Sequence, residues 1–86
     1  MSIEDRLHYA KIILRELKER PLTWDELERK VIVHCGTHSR FVRVMRWLLD
    51  QGYIIKMGPP RTRAPYRLNP EKVSFNEDGS VIIKIS

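Results

Sequence analysis

Arg40, Arg43 and Arg46 fall three residues apart in the run SRFVRVMRWLLDQ. On a helix that spacing puts neighbouring guanidinium groups on one side. Guanidinium groups keep their charge at every working pH and fork onto phosphate oxygens or guanine edges in bidentate fashion. A second group, Arg61 and Arg63, lies in the stretch GPPRTRAP, stiffened by Pro59 and Pro60 on one side and bounded by Pro65 on the other. Lys56 and Arg67 stand in the apolar runs that lead into and out of that stretch. Ser39 and Trp47 belong to the first run, Ser39 near its start and Trp47 at the edge of its charged side.

Other residue types capable of chemistry fit plainer roles. The string His34-Cys35-Gly36-Thr37-His38 brings ligand types together, but a structural zinc site takes four ligands, and the fourth would have to come from His8 or a second chain. A buried cysteine and turn-capping or phosphate-facing histidines account for it better. Were Cys35 exposed, it could form a disulfide between two subunits. Asp5, Glu16, Glu19, Asp25, Glu26 and Glu28 read as helix caps and solvated faces. No Gly-rich phosphate loop or nucleophile arrangement stands out. The expectation is therefore a protein that is not an enzyme, with no catalytic residues, no metal and no cofactor.

The charge distribution sharpens the picture. The net charge is +5, but residues 1–34 carry seven basic and seven acidic groups and are neutral overall. Residues 35–70 carry seven basic groups against Asp50 alone. Concentrated positive charge attracts polyanions and speeds encounter with them. One cysteine leaves no internal disulfide. No segment approaches the ~20 apolar residues that span a bilayer, and no basic stretch leads into an apolar signal core. The chain is expected to be intracellular, cytoplasmic or nucleoid-associated, with no membrane contact. Its 86 residues suit one compact domain, too small for a deep enzymatic cleft.

The elements that must position these groups are legible in the periodicity. Ile3, Leu7, Ala10, Leu14 and Leu17, with Ile13 widening the stripe, predict an amphipathic helix from Ile3 to Arg20. Ser2 caps it and Pro21 stops it. Pro21-Leu22 is a short extended step. Thr23-Trp24-Asp25-Glu26 has the form of a capping box and opens a second helix, with Trp24, Leu27, Val31 and Ile32 inward and Gly36 at its end. Thr37 or Ser39 caps a third helix that reaches Gly52. On its wheel Phe41, Val44, Met45, Leu48 and Leu49 form the inner arc, with Val42 at the edge. Arg43, Arg46 and Asp50 fall opposite, and Arg40 and Trp47 take the other boundary. Asp50 stands four residues after Arg46, in position to pair with it. YIIKM and YRLN then predict a hairpin with a long tip. KVSFNEDGSVIIKIS predicts a second hairpin around Asn76–Gly79, in which Val81, Ile83 and Ile85 alternate. The division is a domain over residues 1–71 and a hairpin extension over 72–86, either part of the same compact unit or a dimer interface.

The order helix, extended step, helix, Gly-containing turn, helix, hairpin, carried by residues 22–68, resembles the winged helix-turn-helix superfamily. It looks especially like small archaeal winged-helix proteins and transcriptional regulators. Leu48-Leu49-Asp50-Gln51-Gly52-Tyr53-Ile54 has the form with which their third helix passes into the wing. The resemblance implies an α+β fold of three helices and a β-hairpin wing. It implies double-stranded DNA as partner, with the third helix in the major groove and the wing on the backbone or in the minor groove. On that basis Ser39, Arg40, Arg43, Arg46 and Trp47 become candidate DNA contacts of the reading helix, and Lys56, Arg61, Arg63 and Arg67 of the wing. The last hairpin departs from the commonest pattern of the superfamily.

The residues support the same partner without the resemblance, because a helix about 12 Å across fits the major groove. The expectation is a non-enzymatic, dimeric regulator of transcription or a small chromatin-associated protein, with no small-molecule ligand. Dimerisation would use the first helix, the last hairpin or both. The competing readings are a winged-helix module for protein–protein interaction and a winged helix that binds RNA.

Overall fold

The computed structural model describes residues 2–84. Three helices come first: α1 (Ile3–Glu19), α2 (Trp24–Cys35) and α3 (His38–Asp50). Two antiparallel hairpins follow. β1 (Ile54–Lys56) pairs with β2 (Tyr66–Leu68), and β3 (Val73–Phe75) pairs with β4 (Val81–Ile83). This is an α+β topology of winged-helix type with an added C-terminal hairpin.

Each helix starts on a side chain that accepts from an orphan backbone N–H. The Ser2 hydroxyl accepts from Asp5 at 3.1 Å. At α2 the capping box is complete: the Thr23 hydroxyl accepts from the Glu26 N–H at 3.3 Å, and the Glu26 carboxylate accepts from the Thr23 N–H at 3.1 Å. At α3 the cap is Thr37, which accepts from Arg40 N–H at 3.2 Å, and Ser39 lies inside the helix. Gly36 ends α2 with φ at 88° and donates to the Ile32 carbonyl at 2.8 Å. That left-handed residue reverses the chain within the two residues separating α2 from α3, so the two helices are held at a tight turn.

The step between α1 and α2 also has a structural role. Leu22 forms an isolated antiparallel bridge to Tyr66, so a third extended segment lies beside the β1–β2 wing. One hydrophobic cluster joins all the elements. It holds Ala10, Ile13, Leu14 and Leu17 of α1, Leu27, Val31 and Cys35 of α2, and Phe41, Val44, Met45 and Leu48 of α3. Leu22, Tyr53, Ile54 and Tyr66 close it on the wing side. Trp24 meets Phe41 edge-on, with ring centroids 5.3 Å apart.

The second hairpin adds Val73 and Val81 to the same cluster. It is tied to the end of α3: Asn69 Nδ2 donates to the Gly52 carbonyl and Lys72 Nζ to the Gln51 carbonyl, both at 2.8 Å. The Lys18 ammonium of α1 stands 5.1 Å from the centre of the Phe75 ring. In β4, Val81 turns inward and Ile82 outward, as alternation requires; Ile85 lies outside the described residues.

The structure corrects several details of the sequence reading. Ile3 is 67% exposed, because the first turn of α1 projects beyond its partners, and Leu7 is only half-buried. Cys35, one turn beyond Val31, belongs to the core at 1% exposure, so it offers no thiol for a bond between subunits. Among the described residues no ion pair joins Arg46 to Asp50. No helix among the described residues is long and apolar enough to cross a membrane.

Candidate nucleic-acid interface

The burial of Phe41, Val44, Met45 and Leu48 dictates which side of α3 faces out. Arg40, Arg43 and Arg46 are all exposed there, as is Ser39 in the first turn. The ion pairs among the described residues are Arg20 with Glu26, at 3.2 Å, and His38 with Glu28, which ties the first turn of α3 to α2. The three α3 arginines therefore have no carboxylate partner among the described residues, and their charge is directed to solvent.

Two recesses lie along the seam between α3 and the N-terminal half of α1. One, of about 370 Å³, is lined by Arg6, Arg43, Arg46, Trp47 and Asp50. The other, of about 350 Å³, is lined by Asp5, Tyr9, Thr37, Ser39, Arg40 and Arg43. Arg43 is the wall they share, so the two form one furrow beside the arginine row.

Trp47 is half-buried and acts as the floor of the first recess. Its ring packs against Tyr53, with centroids 5.4 Å apart. The Arg6 guanidinium carbon lies 4.7 Å from the ring centre on a cation–π contact. Arg6 is the residue that sequence reasoning missed. It lies beside the apolar stripe of α1, and nothing local in the sequence links it to a position 41 residues later; only α1–α3 packing does.

The wing residues take separate places. Arg61 is exposed and has a positive φ of 62°, an unusual conformation for a residue with a side chain. Arg63 is exposed and lines a recess of about 400 Å³ with Trp24, Asp25, Arg29, Thr62 and Tyr66, between the wing tip and the start of α2. Arg67 is exposed on β2 and donates to the Leu68 carbonyl at 3.2 Å. Lys56 is half-buried with its ammonium 5.8 Å from the Tyr66 ring centre. The structure thus gathers Ser39, Arg40, Arg43, Arg46 and Trp47 along one seam, and sets Arg63 in a different recess, against α2.

Burial pushes the Cys35 thiol above its usual range, and the nearby Arg40 pulls it partly back. Its partners are apolar core residues rather than ligands. Among the described residues no group of three or more His, Cys, Asp or Glu side chains converges on a common point. No protein family, curated protein or solved structure matches the chain.

Proposed function

We propose that the chain is a winged helix-turn-helix protein that binds double-stranded DNA and catalyses no reaction. The observation that carries this reading is the row Arg40, Arg43 and Arg46: three exposed guanidinium groups on one helix, without a carboxylate partner among the described residues. A solvated helix face normally mixes signs, as α1 and α2 do. A row of unpaired arginines on a helix that starts at a tight turn is suited to a groove lined with phosphates.

In this mechanism long-range attraction brings the basic face to the duplex. Phosphate contacts fix the register of α3, and one or two of its side chains reach base edges in the major groove. Lys56, Arg61, Arg63 and Arg67 hold the wing to the backbone or the minor groove. Two copies associated through α1 or the second hairpin would present two α3 helices about 34 Å apart, one turn of the duplex. The exposed Ile3 and Ile82 are apolar groups in those elements that association would cover. This is the arrangement of a regulator of transcription or a small chromatin-associated protein.

A second reading, a protein-interaction module, is favoured by Val33, which α2 leaves 79% exposed. Titration of a duplex with the wild type and with Arg43→Ala/Arg46→Ala across a salt series separates the two. DNA binding predicts tight association at low salt that weakens steeply as salt rises, with loss of most affinity in the double variant. An A-form RNA duplex run in parallel should bind more weakly. No association with any duplex at low salt contradicts the proposal and leaves the interaction module.

A further inference from the structure

We infer that Arg6 of α1 and Arg43 of α3 clamp one backbone phosphate between them, in the recess floored by Trp47. The inference rests on the DNA-binding reading, and it moves the contact surface from the outer face of α3 to the α1–α3 seam.

Three observations carry it. First, Arg6 is fixed in place with its hydrogen-bonding capacity unused. Its guanidinium lies over the Trp47 ring at 4.7 Å, and its Nε is enclosed and has no hydrogen-bond partner. A partly desolvated guanidinium gains most from an anion that meets its remaining N–H groups. Second, that anion is not supplied by the described residues. Asp50 lines the same recess and Asp5 is the neighbouring residue, yet neither forms an ion pair with Arg6. Third, the recess brings a second and third guanidinium, Arg43 and Arg46, to the same space. Three guanidinium groups against the single carboxylate of Asp50 leave the recess with an excess of positive charge that a bound anion offsets.

The composition of the recess selects phosphate. Its wall offers the forked N–H donors of Arg6, Arg43 and Arg46 beside the flat ring of Trp47. Stacking on Trp47 fixes the plane of Arg6 before binding, so little side-chain freedom is lost when the phosphate arrives. Arg43 also lines the neighbouring recess, so a phosphate between Arg6 and Arg43 lies where the two recesses meet. The furrow then continues past Arg43 to Arg40, Ser39 and Thr37, giving the strand a path along α3.

The test is the salt dependence of duplex binding in Arg6→Ala, Arg6→Lys and Arg6→Ala/Arg43→Ala, with thermal midpoints and circular dichroism as folding controls. Each phosphate neutralised contributes about −0.9 to the slope of log K against log salt. Arg6→Ala should weaken binding roughly tenfold at low salt, and Arg6→Ala/Arg43→Ala, which leaves the phosphate with neither partner, should also reduce the magnitude of the slope by about one such step. The loss should be equal for random and preferred duplexes, since a phosphate carries no sequence information. Arg6→Lys should keep the slope and lose less affinity. A folded Arg6→Ala variant with wild-type affinity overturns the clamp, and so does a folded Arg6→Ala/Arg43→Ala variant with the wild-type slope, because a packing defect alone leaves the slope unchanged. Wild-type protein that binds no duplex at low salt overturns the DNA reading itself, a different and separately visible failure.

Discussion

Leu22 and Tyr66 exchange both of their main-chain hydrogen bonds, Leu22 N–H to the Tyr66 carbonyl at 3.1 Å and Tyr66 N–H to the Leu22 carbonyl at 2.7 Å. The four-residue connection between α1 and α2 thereby becomes an edge of the wing. The Leu22 side chain is 1% exposed and fills the core below. Leu22→Ala should therefore loosen wing and helices together, at a cost of about 2–5 kcal/mol. Urea unfolding checks this: the midpoint should fall, with helix and tryptophan signals still changing in one transition.

Acid should act first on the start of α2. The Glu26 carboxyl is held below its ordinary value of 4.5, mainly by the Thr23 N–H, then by Arg20 and the Thr23 hydroxyl. A pKa depressed in the folded chain gives stability that is present in full above the unfolded value and disappears as pH falls through the folded one. Asp78, lowered by its bonds to Ser80, titrates in the same direction. Glu26→Gln keeps an acceptor for Thr23 and removes the charge. It should be less stable than wild type at about pH 7, and the gap should narrow as pH falls below the ordinary carboxyl value of 4.5. A gap of constant size across that range, measured by denaturant midpoints, contradicts the assignment.

The wing closes through a narrow waist. A Cβ on Gly58 would stand 2.6 Å from the Ala64 Cβ, beside the bond from Met57 N–H to the Pro65 carbonyl at 2.8 Å. Gly58→Ala should prise the two sides apart, costing about 1–3 kcal/mol. It should weaken duplex binding several-fold by displacing Arg61 and Arg63, with α3 intact by circular dichroism. Wild-type affinity in this variant would remove the wing from the interface.

Cys35 reports on opening of the core. Its enclosure and raised pKa both suppress the thiolate, the form that reacts. A thiol reagent should label the native chain slowly and at a rate that rises with denaturant, following the opening of α2 from α3. Rapid labelling without denaturant would contradict the packing described.

Much of the fold was legible because its signals are local. Thr23 and Glu26, Thr37, Gly36 and the 41/44/45/48 spacing mark helix starts, a turn and a buried face within a few residues each. The exposed placing of Arg40, Arg43 and Arg46 follows from that same spacing. What the sequence concealed depends on how far each helix extends past its neighbours. Ile3 continues the apolar stripe of α1 but lies beyond the core, whereas Cys35 continues that of α2 and lies within it. The Arg6–Trp47 stack and the separation of Arg63 from the α3 arginines arise only when distant segments pack, and no periodicity encodes them.

The central claim is that the α3 seam meets DNA, and amide chemical-shift mapping on titration with a short duplex tests it most directly. The account predicts the largest shifts in residues 37–47 and around Arg6, with a second set at the tip of the wing, all diminishing as salt is raised. Shifts confined to Val33 and its neighbours on α2 or to the second hairpin, or no shifts at low salt, would contradict it.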